Sequence, residues 1–135
     1  MEPHGKLQRR NRNKVAKTPG TEKEGDIQRA ILEYLSLKGY YSWRNYVGPI
    51  VHGSGKDRRM SANPARGMPD IMGIMPDGTG RLFAIEVKTK KGIVSAHQKE
   101  RILALNAAGA LAFIARSLDD VVIMLERGKI PFRAL

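Results

Sequence analysis

Two short apolar segments on either side of a dense turn signal constrain the fold of this chain most strongly. The segments are 70–75 (DIMGIM) and 81–88 (RLFAIEVK), and residues 76–80 (PDGTG) separate them. This pattern predicts two antiparallel strands joined by a turn centred on Gly78. Because both strands are apolar on both faces, we expect them to form a buried central pair.

The predicted register brings two carboxylates together. Asp70 falls opposite Glu86, and directly opposed residues have Cβ atoms roughly 4.5–5.5 Å apart. Side chains two apart share a face, so Lys88 joins them at one end of the sheet. A one-residue slip would separate the carboxylates onto opposite faces. Two like charges in a buried pair are destabilising unless a cation compensates them, and a divalent metal does so better than Lys88.

The same residues allow a structural interpretation. Glu-x-Lys triplets are common as charge alternation on exposed strands, and Pro-Asp pairs commonly start turns. The combination favours a site, because Asp70 opens an apolar strand and faces Glu86. Carboxylate oxygens and a strand carbonyl such as that of Val87 suit Mg²⁺, which would activate water and neutralise a phosphate, while Lys88 would stabilise the transition state.

The remaining patterns predict an α/β domain with helices on both faces of a mixed sheet of about four strands. Helical spacing of apolar residues, aromatic and β-branched runs, and turn residues together give the order αβββαβα. Besides the two strands above, the predicted elements are helix 21–38, strand 40–47, helix 95–108, strand 111–115 and helix 117–128. The aromatic strand 40–47 could stack on bases through Trp43 and its tyrosines, but such a strand more often belongs to the core, as we expect here.

The charge of the chain favours a polyanion as partner. The 135 residues carry a net charge of +11, and residues 1–20 hold six Lys or Arg against one acid. That segment is predicted to be a disordered basic arm, followed by one domain over 21–135. A second basic stretch, 44–67, is rich in Gly, Pro, Ser and Asn and is predicted to be a long loop that contacts phosphate. The candidate DNA-binding residues are Arg44, Lys56, Arg58, Arg59, Arg66, Lys90 and Lys91.

Several classes of protein are disfavoured by composition. The chain has no Cys, which excludes disulfide scaffolds, thiolate zinc sites and cysteine nucleophiles. It has neither an apolar run long enough for a membrane span nor a secretory signal. We therefore expect a cytoplasmic protein with no membrane partner and no small-molecule cofactor.

Two motifs resemble the signature of a nuclease superfamily. Segment 66–70 (RGMPD) and, fifteen intervening residues later, segment 86–89 (EVKT) resemble the motifs of PD-(D/E)XK nucleases. More narrowly, the chain from about residue 21 to residue 126 is similar to the VRR-NUC domain family. The further residues that carry this resemblance are Ile27-Gln28, Trp43-Arg44-Asn45 and Ser95-x-x-Gln98.

The resemblance implies a restriction-endonuclease-like core and a metal-dependent endonuclease. It implies Asp70 and Glu86 as metal ligands and Lys88 as the catalytic lysine. Stand-alone members of the family are associated with branched DNA such as Holliday junctions and with homodimers. A symmetric dimer would present two active sites to two strands of a four-way junction.

The family also supplies an acidic residue from the first helix, which corresponds here to Glu24. Helical geometry agrees, because Glu24 falls on the stripe of Ile27 and Ile31, whereas Asp26 lies about 100° away. Gly25 departs from the usual pattern, so Asp26 stays open as a substitute. Glu24 could instead serve only to stabilise the helix N-terminus.

Gln98 has two interpretations as well. Ser95-x-x-Gln98 fits a capping box, in which the Gln side chain returns to the cap backbone. The resemblance instead makes Gln98 part of the active centre, and its position one turn before Ile102 turns it toward the sheet.

The leading hypothesis is therefore a Mg²⁺-dependent, structure-selective endonuclease acting on DNA, with Mn²⁺ also supporting activity. The alternative is a non-catalytic nucleic-acid-binding protein in which Asp70, Glu86 and Lys88 form a structural ion-pair cluster. RNA is a third possibility, since the same site could cleave it.

Overall fold

A computed structural model describes residues 22–128, so the predicted basic arm lies outside the described residues. Among the helices of this range, none has the length and apolar character to cross a membrane. In chain order the elements are α1 (Glu24–Leu37), β1 (Tyr41–Arg44), β2 (Ile50–His52), β3 (Arg59–Ser61), β4 (Ile71–Ile74), β5 (Leu82–Val87), α2 (Ala96–Ala107), β6 (Leu111–Ala115) and α3 (Leu118–Gly128).

Four strands form a mixed sheet in the order β1-β4-β5-β6. β4 pairs antiparallel with β1 and β5, whereas β5 and β6 are parallel. β4 and β5 are therefore the central pair, and their side chains are almost all buried. The α/β class and the mixed four-stranded sheet agree with the sequence prediction.

The predicted register of β4 and β5 is confirmed. Ile71 pairs with Ile85 and Met72 with Ala84, and the same register carried one residue further sets Asp70 opposite Glu86. The connecting turn is closed by a 2.8 Å hydrogen bond from the Met75 amide to the Arg81 carbonyl. Within the turn, Gly78 has a φ of 79°, a backbone conformation that favours glycine.

Helices cover both faces of the sheet. On one face, apolar side chains of α1 and α3 such as Ile31 and Val121 pack with Phe83 and Ile85 of β5. On the other face, Ile102 and Leu105 of α2 pack on a smaller cluster that includes Ala84. The face that carries α2 is the one toward which Glu86 points, since residues 84 and 86 lie on the same side of β5.

The prediction of an unstructured loop over 44–67 was wrong. β2 and β3 form a separate antiparallel hairpin within it, with Val51 opposite Met60, and a single 3-10 turn over Gly55–Asp57 lies near its tip. Every residue from 50 to 61 is exposed. The hairpin therefore has no buried face, and the alternation of apolar and polar residues that would mark its strands is missing.

The prediction that the aromatic strand belongs to the core was also wrong for most of its rings. Tyr40 is buried, but Tyr41, Trp43 and Tyr46 are 76%, 39% and 70% exposed. The strand ends at Arg44 instead of residue 47 and lies at the edge of the sheet.

Candidate functional site

Asp70 and Glu86 meet where β4 begins and β5 ends. Asp70 directly precedes β4, and its Oδ2 accepts a 2.9 Å hydrogen bond from the Val87 amide. Glu86 lies within β5 and is only 2% exposed. Its Oε2 is buried without a hydrogen-bond partner among the described residues. A buried carboxylate oxygen of this kind is costly unless a further group binds it.

The surroundings of Glu86 disfavour its negative charge. Burial, and after it the neighbouring Asp70 carboxylate, raise the pKa of Glu86 from an ordinary 4.5 to about 8. Lys88 acts in the opposite direction, and the charge of Glu24 adds a smaller increase. The pocket therefore favours an additional positive charge, either a proton or a cation.

Lys88 is the basic member of the group. Its Nζ lies 3.9 Å from Glu86 Oε1, and its side chain is largely buried. Its amide donates a 3.0 Å hydrogen bond to the Ala115 carbonyl, which continues the β5–β6 ladder by one residue. Immediately beyond it, Arg116 donates to the carbonyls of Thr89 (2.6 Å) and Gly92 (2.8 Å). The backbone of Lys88 is therefore fixed by its own hydrogen bond to β6, and the backbone that follows it is fixed by the hydrogen bonds of Arg116.

Gln98 combines its two predicted roles. Its Oε1 accepts a 2.9 Å hydrogen bond from the Ser95 amide, and its own amide donates to Ser95 Oγ, which completes the capping box. Its Nε2 donates a 2.8 Å hydrogen bond to Glu86 Oε1. One side chain thus fixes the start of α2 and orients a buried carboxylate, so the two interpretations are compatible.

Asn45 holds the segment that carries Asp70. Its backbone amide donates to the Asp70 carbonyl (2.7 Å), and its Nδ2 donates to the Pro69 carbonyl (2.8 Å). Its Oδ1 accepts from Trp43 Nε1 at 3.0 Å. Asn45 therefore connects the edge strand to the carboxylate pair, a role that the sequence analysis did not assign to it.

Gly67 explains part of the motif that precedes Asp70. Its φ is +82°, and a Cβ at this position would lie 3.0–3.1 Å from atoms of His97 in α2. Only glycine allows the loop to pass this close to α2 without displacing it. The motif therefore sets the distance between the Asp70 loop and the helix that bears Gln98.

Between the two helix-1 candidates, the structure favours Glu24. Glu24 lies near enough to raise the pKa of Glu86. Asp26 is instead engaged with Arg29, at 3.7 Å. In the described part of the chain no group of three or more His, Asp or Glu side chains is arranged to bind a metal.

The donor atoms nevertheless suit one hard divalent cation. Mg²⁺ is commonly held by one or two carboxylates and retains several waters. The pair Asp70 and Glu86, with the free Glu86 Oε2, meets that requirement. The Val87 carbonyl can supply a third oxygen, because the Val87 amide faces Asp70 and both polar groups of a strand residue point toward the same edge.

The predicted DNA-binding residues lie in four places. Arg44 and Asp70 line a cavity of about 440 Å³ beside the carboxylate pair. Lys90 and Lys91 line a larger cleft of about 1130 Å³, together with Glu24 and Arg116. The others, Lys56, Arg58, Arg59 and Arg66, are exposed, the first three in the β2–β3 hairpin and Arg66 in the loop before β4.

A further polar side chain, that of Gln28 in α1, is buried, and the sequence predicted no separate role for it. Gln28 was noted only within the motif of α1, yet it is just 7% exposed and its Oε1 has no hydrogen-bond partner among the described residues. A buried amide on an otherwise apolar helix face was the available signal.

Comparison with models of known protein families found no match to the chain. Comparison with curated proteins found no match either.

Proposed function

We propose that this protein is a Mg²⁺-dependent endonuclease that hydrolyses DNA phosphodiester bonds, with a domain of the VRR-NUC type and a restriction-endonuclease-like core. The observation that carries the proposal is the cluster of Asp70, Lys88 and the buried Glu86, in which Glu86 Oε2 has no partner in the described chain. A purely structural ion-pair cluster would be expected to satisfy its buried oxygens. The Glu86 oxygen beside the Asp70 carboxylate can share a proton with it or bind a cation, and the proposal assigns it a cation.

Each residue of the site has a distinct role in the proposed hydrolysis. Asp70 and Glu86 hold the cation, which supplies an activated water and neutralises charge on the scissile phosphate. Lys88, 3.9 Å from Glu86, places its ammonium group where negative charge develops during phosphoryl transfer. Gln98 fixes the orientation of the Glu86 carboxylate, and Asn45 fixes the backbone that carries Asp70.

Basic surfaces offset the repulsion between the carboxylates and DNA. Arg44 lies at the cavity beside Asp70, and Lys90 and Lys91 lie at the cleft on the side of Glu24. Basic side chains therefore line both of these openings, where they can contact the phosphates of a bound strand. The exposed hairpin adds Lys56, Arg58 and Arg59, and a two-stranded ribbon fits a DNA groove.

We further propose a preference for branched DNA and a homodimeric assembly. This part rests on the resemblance of the motifs to the VRR-NUC family. A two-fold dimer would carry two active sites, as symmetric cleavage of a four-way junction requires.

The experiment is a cleavage assay with the purified full chain and a panel of supercoiled, flapped, four-way and duplex DNA, with single-stranded RNA as a further arm. Cleavage in Mg²⁺ or Mn²⁺ that stops in EDTA is expected, with branched DNA cut fastest. If no nucleic acid in the panel is cut with either metal, the protein is instead a non-catalytic nucleic-acid-binding protein. Preferential cutting of RNA would contradict the proposed substrate.

A further inference from the structure

An exposed aromatic surface lies next to the carboxylate site. It consists of Tyr41 and Trp43, which alternate along β1 and therefore share a face of the sheet. Tyr41 is 76% exposed, and the two rings meet edge to face with centroids 6.1 Å apart. Both side chains are therefore accessible to a partner.

The aromatic surface lies on the same side of the sheet as Glu86. Trp43 pairs with Met72, and Met72 pairs with Ala84 in turn, so the three side chains point the same way. Ala84 and Glu86 share a face of β5. α2 packs over β5 and β6 on this side, and no helix among residues 22–128 packs over this face of β1 at the sheet edge.

A short chain of hydrogen bonds connects the aromatic surface to the site. Trp43 Nε1 donates to Asn45 Oδ1 at 3.0 Å, and Asn45 donates to the carbonyls of Pro69 and Asp70. The cavity of about 440 Å³ lies along the same segment, lined by Arg44 and Asp70 among others. A ligand on the aromatic surface can therefore continue past Asn45 to the carboxylates.

We propose that Tyr41 and Trp43 bind unpaired nucleotides by base stacking and hold a single-stranded portion of the substrate beside the cut. This inference rests on the proposed function and refines its substrate to nucleic acid with unpaired bases near the scissile bond. Aromatic rings combined with basic side chains are the usual means of binding single strands without base preference. The net charge of +11 favours a polyanion over a second copy of the chain as occupant.

The chain itself supplies the probe, because Trp43 is its single tryptophan. Tryptophan fluorescence is titrated with a thymidine oligonucleotide and with a blunt duplex of equal length, in EDTA so that no cleavage occurs. We expect saturable quenching by the oligonucleotide and little by the duplex. Tyr41→Ala should weaken oligonucleotide binding roughly tenfold, as the loss of one stacked base predicts. Leu103→Ala, another exposed apolar residue, should have no effect.

Three results would overturn the inference. The first is oligonucleotide binding, seen by anisotropy, that leaves Trp43 fluorescence unchanged. The second is equal affinity of wild type and Tyr41→Ala, both shown to be folded by thermal melting. The third is a fluorescence change that follows protein concentration instead of oligonucleotide, which would indicate a second copy on this surface. Because stacking is measured without a metal, quenching in a protein that cuts nothing would contradict the proposed catalysis and leave the binding surface intact.

Discussion

Gln98 Nε2 donates a 2.8 Å hydrogen bond to Glu86 Oε1, while the Oε1 of the same amide accepts from the Ser95 backbone. The start of α2 and the orientation of a buried carboxylate are therefore fixed by one side chain. Any shift of the α2 N-terminus would move the donor that orients Glu86. The capping box thus stabilises the start of α2 and also positions the hydrogen-bond donor to Glu86.

Replacing Gln98 should separate these two roles. Gln98→Ala is expected to lower cleavage by roughly 10- to 100-fold, the usual effect of losing a group that orients a metal ligand. Ser95→Ala is the matched control, because it removes the cap hydroxyl but leaves the contact with Glu86. It should cost about 1 kcal/mol of stability and little activity. Equal losses of activity in the two variants, measured with initial rates and urea unfolding, would contradict the proposed role.

The raised pKa of Glu86 predicts a pH-dependent stability in the absence of metal. The folded state binds this proton more tightly than the unfolded chain, since the pKa rises from 4.5 to about 8 on folding. The stabilising contribution is complete below about pH 4.5 and is lost as the pH rises to about 8. Glu86→Gln should therefore be more stable than wild type at about pH 9, by a few kcal/mol, and similar to it at about pH 4.

Urea unfolding in EDTA at the two pH values measures this difference. Glu33→Gln, which changes an exposed carboxylate on α1, is the charge-matched control and should show no comparable gain at high pH. A gain for Glu86→Gln that is the same at both pH values would show that the Glu86 charge is not the cause.

Mg²⁺ should compete with the proton on Glu86. The ion requires the ionised carboxylate, so its affinity is expected to increase with pH up to about 8 and then level off, with release of a proton below that pH. Thermal melting with and without Mg²⁺ measures the effect, since a ligand of the folded state raises the melting temperature. Asp70→Asn should abolish the increase. An increase that is independent of pH and persists in that variant would place the ion elsewhere.

Substitution of Asn45 should reduce the cleavage rate by more than its loss of folding stability explains. Asn45→Ala removes the side-chain hydrogen bonds to Pro69 and Trp43 and frees the Asp70 segment. Asn106 is the matched control, because it also makes two hydrogen bonds, both to the backbone of Ala112. Each substitution should cost about 1–3 kcal/mol in urea unfolding. Only Asn45→Ala is expected to reduce cleavage at a temperature where both variants are folded.

The central hairpin could be predicted from the sequence because its signals agree. The turn residues around Gly78 fixed the register, and the apolar residues on both sides indicated burial. Once the register was known, the proximity of Asp70 and Glu86 followed from strand geometry alone. The capping box of Ser95 and Gln98 could also be predicted, because it depends only on residues three positions apart in the sequence.

The features that could not be predicted from the sequence depend on which helices and strands pack against each element in the folded domain. The β2–β3 hairpin is exposed on both faces, so no hydrophobic periodicity marks Ile50–His52 or Arg59–Ser61 as strands. Trp43 belongs to a strand of core-like composition, but its exposure follows from the strand order and the position of α2. The contacts of Asn45 and Arg116 join segments distant in sequence, and no local pattern indicates them.

The most direct test of the account is a comparison of cleavage and binding in three variants at the carboxylate site. Asp70→Asn, Glu86→Gln and Lys88→Ala are each assayed for Mg²⁺-dependent cutting and for DNA affinity by anisotropy, with Lys38→Ala, an exposed lysine, as the control. The account predicts that each site variant loses at least roughly a hundredfold in cleavage rate while its DNA affinity changes by no more than a few fold. Cleavage that survives in Asp70→Asn and Lys88→Ala, or that is lost only in parallel with DNA binding, would contradict it.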